Sequence, residues 1–222
     1  SGIAKNATNG TALLIKNRDD YELNYLDLSA ANTAGMFAAR YAGALGNSLK
    51  VSMFTGKNSA SFPAWTYSEE FNGVPGTSVA AANVGGANDE IHLIVIDEDG
   101  KFTGVSNTVL EKFSYVSKAS DVKNDDGSSN YYVNVINDRS RYIYVLNHAQ
   151  NVSNQVSDTS TWGTPASGTT FSEFQTEYTV SLSGGVNGWA NTSNLTTAYD
   201  KFANPEEIDV SLIITGAANQ TV

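Results

Sequence analysis

The sequence contains no cysteine, and this absence excludes several kinds of chemistry at once. Disulfide bonds, thiol nucleophiles and cysteine-ligated metal centres all need that side chain. The 222 residues must therefore fold without covalent cross-links, and a content of 41% hydrophobic residues is enough for a substantial core. A chain without thiols also fits synthesis in a reducing cytoplasm.

Basic residues are scarce as well, with 13 lysines and arginines against 23 acidic residues and a formal net charge of -10. Binding to nucleic acid needs a basic face that neutralises phosphates, so we expect no nucleic-acid partner. Long apolar runs are also missing, because the longest uninterrupted ones have the length of a strand. The sequence therefore predicts no signal peptide, no membrane span and no membrane partner.

The chain has only two histidines, which limits the catalytic sites that it can build. A serine hydrolase needs a histidine base oriented by a carboxylate, and no G-x-S-x-G nucleophile motif occurs. His92 lies within an apolar run and is typical of a packing residue, whereas His148 opens a polar loop and is the better candidate for a general base. We expect no catalytic residues and no enzymatic activity.

Two acidic stretches, residues 97–99 and 125–126, carry the carboxylates that Ca²⁺ prefers as ligands. Each stretch is also followed by a glycine, which is typical of turns, and residues 125–126 lack the spacing of an EF-hand. Gly43 and Gly46 similarly suggest a phosphate-binding loop, but no lysine stands in the register of a Walker motif. Turns are the favoured interpretation throughout, so we expect no metal site and no cofactor.

In the first part of the chain, apolar spacing predicts a short strand at residues 13–15 and a helix at 19–28, capped by one of its first two aspartates. A second short helix is expected at residues 35–41, ended by the glycines that follow. Residues 49–54 alternate between apolar and polar, which predicts a strand with one face in water. Residues 56–88 show no sustained period and predict a long surface loop with one short strand at most.

The central part of the chain is the most strongly patterned. The apolar run 91–96 predicts a buried strand that ends in a tight hairpin turn at 97–100. Residues 108–117 fit either a strand or a helix, and their capping-box pattern with one apolar helical face favours the helix. Residues 131–136 have helical spacing, and residues 142–146 predict another strand.

Beyond an exposed excursion expected at residues 150–170, which are rich in serine, threonine and asparagine, the pattern becomes regular again. Residues 177–182 predict a strand, and residues 193–202 predict a helix. Residues 208–214 are apolar at successive positions, which is typical of a strand buried on both faces. This order of elements indicates the beginning of an alternating α/β unit.

Aromatic residues leave a binding function open. Trp65, Tyr67 and Phe71 fit a sugar-stacking platform, a subunit contact or a small satellite core, and the last two interpretations are favoured. Trp65 and Trp162, if exposed, serve the alternative function, that of a secreted β-rich carbohydrate-binding or adhesin module.

Three stretches in the same order carry a resemblance to a known family. Residues 37–51 read FAARYAGALGNSLKV, residues 88–148 contain IVIDEDG, TVLEKFSYVS, NYYVNVIN and DRSRYI, and residues 182–188 read LSGGVNG. The chain thereby resembles the contractile tail sheath proteins of T4-like myophages. Ala42 stands where that family commonly has proline.

The resemblance implies a fold of the α+β class, with a mixed β-sheet or sandwich flanked by short helices. It also implies that residues 108–117 form a strand that pairs with residues 91–97, in contrast to the helix favoured by their own pattern.

The expected domain organisation follows from composition and from the resemblance. Residues 1–12 have little apolar content and predict an unordered lead-in. The resemblance implies that residues 13–176 form the middle α+β domain of a sheath protein, and that residues 177–222 begin its next α/β domain, of subtilisin-like topology. Because the chain starts at Ser1 and stops at Val222 after a strand-like run, we expect a fragment of a longer polypeptide.

The function implied by the resemblance is that of a structural subunit of a bacteriophage tail sheath. Such subunits polymerise around the tail tube of the virion and contract to drive the tube through the host envelope. The implied partners are other sheath subunits and the tube protein, and the implied place of synthesis is the bacterial cytoplasm. The arms that join neighbouring subunits lie outside this stretch in the family, so we expect the fragment itself to be monomeric.

Overall fold

The computed structural model describes residues 3–26, 28, 33–148, 161–204, 206, 209, 211 and 212. Within them, the helices are α1 (Arg18–Asn24), α2 (Val79–Asn83), α3 (Tyr132–Arg139) and α4 (Thr192–Asp200). The strands are β1 (Phe37–Ala39), β2 (Leu49–Phe54), β3 (Glu90–Asp97), β4 (Thr108–Ser117), β5 (Ile143–Val145) and β6 (Tyr178–Ser181). Short 3₁₀ helices lie at Ala44–Ser48, Ser59–Ala64 and Ser68–Glu70. No helix among the described residues combines the length and hydrophobicity that crossing a bilayer requires.

Four strands form the main sheet in the order β4-β3-β2-β6, and every neighbouring pair is antiparallel. The side chains of β3 from Ile91 to Asp97 are all buried. β4 pairs with β3 from Thr108 to Ser117, which confirms the strand implied by the resemblance and shows that the helix favoured by the residue pattern is wrong. Hydrogen bonds to β3 and burial against the core outweigh the local helical pattern.

A smaller antiparallel sheet joins β1 to β5, with Ala38 opposite Tyr144. The strand Phe37–Ala39 replaces the helix expected at residues 35–41, so that expectation is wrong. Gly35 has a φ of 82°, which interrupts a helix, and pairing with β5 supplies the backbone hydrogen bonds instead. Since the pairs in both sheets are antiparallel, the α+β class is confirmed, but the expected mixed sheet is wrong for the described strands.

The main core lies between the main sheet and a second layer, which consists of the small sheet and α3. Alternate residues of β2 face this core, namely Leu49, Val51 and Met53. From the other side, α3 contributes Tyr132 and Ile136, so the helix predicted from the spacing in this region is confirmed. Each fully buried aliphatic side chain of this kind stabilises the fold by roughly 1.5–3 kcal/mol.

The opposite face of the main sheet is also covered, which corrects the wet face expected for residues 49–54. The buried side chains of this second cluster are Phe54, Phe62, Trp65, Phe71, Ile94 and Ile96. Residues 56–88 form 3₁₀ helices and α2 in place of the expected loop with a strand. The indole N–H of Trp65 donates to Ser52 Oγ at 2.8 Å, and Tyr67 packs beside them, so these aromatic residues form a satellite core as expected.

The N-terminal segment is packed against both sheets, so an unordered lead-in is wrong for residues 3–12. Asn6 and Thr8 are fully buried. Asn6 Nδ2 donates to the carbonyl oxygen of Ala39 at 2.8 Å, and the N–H of Thr8 donates to the carbonyl oxygen of Ser183 at 3.0 Å. Composition failed here because polar side chains, satisfied by backbone partners, order this segment.

Two further expectations near the N-terminus need correction. The strand predicted at residues 13–15 is reduced to an isolated bridge between Leu13 and Asn6. The cap of α1 is Asn17 and not an aspartate, since its Oδ1 accepts from the N–H three residues on at 2.8 Å. The helix also ends earlier than expected, and Leu28 has a φ of 59°, which a right-handed helix does not allow.

The connection from β3 to β4 is a loop at residues 98–107 and not the tight hairpin expected at 97–100. Asp97 organises this loop, because its carboxylate accepts from two backbone N–H groups at 2.8 and 2.9 Å and from Ser48 Oγ at 2.6 Å. Burial opposes ionisation, but these hydrogen bonds outweigh it and lower the pKa of Asp97.

The described C-terminal elements follow the predicted order. β6 confirms the strand expected at residues 177–182, and α4 confirms the helix expected at 193–202. We had expected residues 177–222 to begin a following domain. β6 pairs with β2, however, and is therefore a strand of the main sheet. The strand expected at residues 208–214 lies largely outside the described residues, and Leu212, which is described, is 78% exposed.

Candidate functional site

His148, the candidate general base, lies between two tyrosines. Its Nδ1 is 2.7 Å from Tyr132 Oη, and its Nε2 is 3.5 Å from Tyr131 Oη. Burial lowers the pKa of His148 to about 4, so the ring is neutral at pH 7. Burial also raises the pKa of both tyrosines, whose hydroxyls therefore stay protonated. The imidazole is a neutral hydrogen-bonding group at the edge of the core.

Among the described residues, the surroundings of His148 do not form a hydrolytic triad. Among the residues that the structure describes, no carboxylate hydrogen-bonds to the ring, as the orienting group of a triad does. Gly163 has a φ of 82° and lies so close that a Cβ there would be 2.5 Å from Nε2. Trp162 packs edge-on against Tyr132, with ring centroids 5.6 Å apart. These contacts pack α3 against residues 162 and 163.

His92, the second histidine, is a packing residue inside β3. Its Nδ1 accepts from the N–H of Tyr115 at 3.1 Å, which places the proton on Nε2. Nε2 then donates to the carbonyl oxygen of Gly73 at 2.8 Å. The ring stacks on Phe71 at 4.2 Å, and burial lowers its pKa. His92 thus joins the 3₁₀ segment to the main sheet.

Lys118 is fully buried, a feature that the sequence pattern did not indicate. Its Nζ donates to the carbonyl oxygen of Ser172 at 3.0 Å and lies 5.4 Å from the centre of the Trp162 ring. Burial lowers the pKa of Lys118 to about 7, against the opposing effect of the carboxylates of Glu173 and Asp89. Within the described part of the chain it forms no salt bridge. No local pattern distinguishes this lysine from a surface one.

The acidic stretches 97–99 and 125–126, which we considered as calcium ligands, stabilise turns. Asp126 Oδ1 accepts from the N–H and the Oγ of Ser128 at 2.9 and 2.6 Å. The carboxylate of Asp97 is engaged within its own loop. Across the described ranges, no three His, Asp or Glu side chains come together as a metal ion requires.

The two tryptophans named for a binding function are not exposed, so that expectation is wrong. Trp65 is buried in the second cluster, and Trp162 is buried in the main core. The indole N–H of Trp162 donates to the carbonyl oxygen of Ser172 at 2.9 Å. Residues 161–170 are therefore only partly the exposed excursion that we expected, since Trp162 and Ala166 are buried, and residues 149–160 lie outside the described residues.

A surface that sequence reasoning missed is made of exposed apolar side chains from three segments. We call it the apolar patch, and its members are Ile3, Tyr41, Leu45, Val186 and Trp189. Tyr41 is 73% exposed and Trp189 is 75% exposed. All five are exposed, and they lie on segments that are joined by hydrogen bonds.

Backbone hydrogen bonds hold the three segments of the apolar patch together. The N–H of Lys5 donates to the carbonyl oxygen of Val186 at 2.9 Å, and the carbonyl oxygen of Lys5 accepts from the N–H of Gly43 at 2.9 Å. Asn187 Oδ1 accepts from the N–H of Ala44 at 2.9 Å. The three segments that carry the patch are therefore joined to one another.

Two of the stretches that carry the sequence resemblance meet beside this patch. Asn47, from residues 37–51, accepts from the N–H of Gly185 at 2.7 Å and donates to its carbonyl oxygen at 3.1 Å. Gly188 lies so close to the N-terminal segment that a Cβ there would be 2.6 Å from the backbone nitrogen of Ala4. The glycines at positions 185 and 188 thus allow the close approach of backbones.

Comparison with known proteins relates part of the chain to a protein of a bacteriophage. No family model matches the chain. The tail sheath protein of Salmonella phage ViI is 32% identical over 110 residues, which are 48% of this chain and 14% of that protein. The chain therefore matches only a small part of the length of this relative. The likeness relates about half of the chain to part of a protein named as a phage tail sheath protein.

Proposed function

We propose that this chain is part of the structural subunit of a contractile phage tail sheath. The observation that carries the proposal is the 32% identity over 110 residues with a protein named as a tail sheath protein. The contact between Asn47 and Gly185 adds support, because it joins two stretches that resemble sheath sequences and lie far apart in the chain. The described histidines support packing and not catalysis, which fits a structural role.

In this proposal, many copies of the whole subunit are made in the host cytoplasm and polymerise around the tail tube of the virion. Contraction changes the contacts between nearly rigid subunits and drives the tube through the host envelope, with energy stored in the assembly itself. The packing of the described residues suits such a subunit, since the main sheet is covered on both faces. We also propose that α4 belongs to the beginning of a following α/β unit with the subtilisin-like topology of the family.

We place one contact between neighbouring sheath subunits at the apolar patch. Trp189 and Tyr41 expose most of their surface, and hydrogen bonds fix the segments that carry them. An assembly of many copies buries such side chains at its contacts, where aromatic residues contribute most of the binding energy.

The test uses the full polypeptide that carries this chain, with polymer formation measured by sedimentation and negative-stain electron microscopy. Trp189→Ser should reduce the polymerised fraction, and Val79→Ser, at a comparably exposed apolar side chain on α2, should leave it unchanged. If Trp189→Ser leaves the formation of tubular polymers unchanged, the patch is not part of the contact between subunits. A polypeptide that stays monomeric under all conditions would contradict the sheath function itself.

A further inference from the structure

The sequence contains three Asn-Gly dipeptides, at residues 9–10, 72–73 and 187–188, and they differ in hydrogen bonding and exposure. This dipeptide is the one most open to spontaneous deamidation, because glycine has no Cβ to shield its backbone nitrogen. The reaction needs an asparagine side chain that is free to turn until its Cγ meets that nitrogen. Hydrogen bonding and exposure at each site therefore decide which asparagine reacts.

Asn9 is held at both ends of its amide. Its Oδ1 accepts from the N–H of Phe37 at 2.8 Å, and its Nδ2 donates to Tyr178 Oη at 3.1 Å. The N–H of Gly10, the nucleophile in such a reaction, donates to Thr8 Oγ1 at 3.1 Å. Deamidation at this site requires all three hydrogen bonds to break.

Asn187 is held at one end. Its Oδ1 accepts from the N–H of Ala44 at 2.9 Å at the surface of the apolar patch. One hydrogen bond must break before this side chain turns, so the site is intermediate between the other two.

Asn72 is exposed and free to turn. In the described part of the chain, neither its amide nor the N–H of Gly73 takes part in a hydrogen bond. It lies in the irregular segment after the 3₁₀ helix Ser68–Glu70, where no helical backbone keeps the reacting atoms apart.

We propose that Asn72 is the site at which this protein deamidates first. The backbone nitrogen of Gly73 attacks Cγ of Asn72 and forms the new N–Cγ bond of a five-membered succinimide. The Cγ–Nδ2 bond breaks, and ammonia leaves with the proton that the Gly73 nitrogen gives up. Water then opens the ring at either carbonyl, which yields aspartate or isoaspartate at position 72. This inference is independent of the proposed function.

The modified residue lies between two anchors to the same histidine. Phe71 stacks on the ring of His92 at 4.2 Å, and the carbonyl oxygen of Gly73 accepts from His92 Nε2 at 2.8 Å. Isoaspartate adds one methylene to the backbone between these anchors and a new negative charge beside them. We therefore expect the modified protein to unfold at a lower urea concentration than the unmodified one.

The test follows the folded 222-residue chain at mildly alkaline pH, with peptide mass spectrometry at all three dipeptides. Conversion at Asn72 should be roughly fivefold faster than at Asn187, where one hydrogen bond must break, and much faster again than at Asn9. In urea, where these bonds are lost, the three rates should become similar. Equal rates in the folded chain, or first conversion at Asn9 or Asn187, would overturn the proposal.

A matched variant separates the modification from general ageing of the sample. Asn72→Gln replaces an exposed side chain without hydrogen bonds to described residues, so it should fold as the unchanged chain does. Digestion of this variant should not yield the peptide that is modified first in the unchanged chain. The urea midpoint of the variant should stay constant during the incubation. An equal loss of stability in both proteins would contradict the consequence inferred from the two anchors.

Discussion

The indole nitrogen of Trp65 donates to Ser52 Oγ at 2.8 Å, and this bond joins the segment after β2 to the face of that strand opposite the main core. Trp65 is also stacked on Phe54 and on Phe71. Trp65→Ala should therefore lower the free energy of unfolding by about 3–5 kcal/mol, as loss of a large core side chain does. Urea denaturation measures this change.

The control for that measurement is Trp189→Ala, which removes the same side chain from a surface position. It should change the free energy of unfolding by no more than about 0.5 kcal/mol. Similar small effects at both positions would show that the second cluster does not stabilise the main sheet.

The buried ring of His148 makes stability depend on pH. Its pKa is about 4 in the folded chain against 6.5 as the ordinary value, so between these values the unfolded state binds the extra proton. Stability should be complete above pH 6.5 and fall as the pH drops toward 4, by roughly 3 kcal/mol for this group. His148→Gln should show a weaker pH dependence of the urea midpoint in this range. An unchanged dependence would mean that the ring is solvated.

The ionisation of Lys118 makes stability depend on pH in a higher range. Its pKa is about 7 in the folded chain against 10.5 ordinarily, so the unfolded state binds more protons across this interval and stability should rise with pH. The measurement should stay below the range in which tyrosines ionise, because burial raises the pKa of Tyr131 and reverses the trend there. Lys118→Met should flatten the rise. A rise of the same slope in the variant would assign it to other groups.

The chain by itself should be a monomer, because one exposed patch is a small contact area. Size-exclusion chromatography with light scattering should give the mass of one chain, 23.6 kDa. A stable ring or filament of the isolated chain would contradict this expectation.

The elements that the sequence predicted correctly are those whose own pattern agrees with their environment. β3 is an uninterrupted apolar run buried on both faces, and α3 has apolar spacing that matches the face it buries. The strand Phe37–Ala39 was missed because three residues hold too little periodicity, and the pairing with β5 alone decides its conformation.

The candidate site was less predictable than the fold. The buried state of Lys118 and the packing of Trp162 depend on contacts between segments far apart in the chain, which no local pattern records. The apolar patch was missed for the same reason, since backbone bonds between Lys5 and Val186 bring its parts together. The contact between Asn47 and Gly185 likewise joins two glycine-containing stretches that lie far apart in the chain.

The most direct test of the sheath function is an electron cryomicroscopy reconstruction of the full polypeptide under conditions that favour polymers. We predict a tube of stacked rings around a central channel, in which each subunit contains a four-stranded sheet in the order β4-β3-β2-β6 and buries Trp189 against a neighbour. A polypeptide that forms no tube, or a tube whose subunits lack this sheet, would contradict the account.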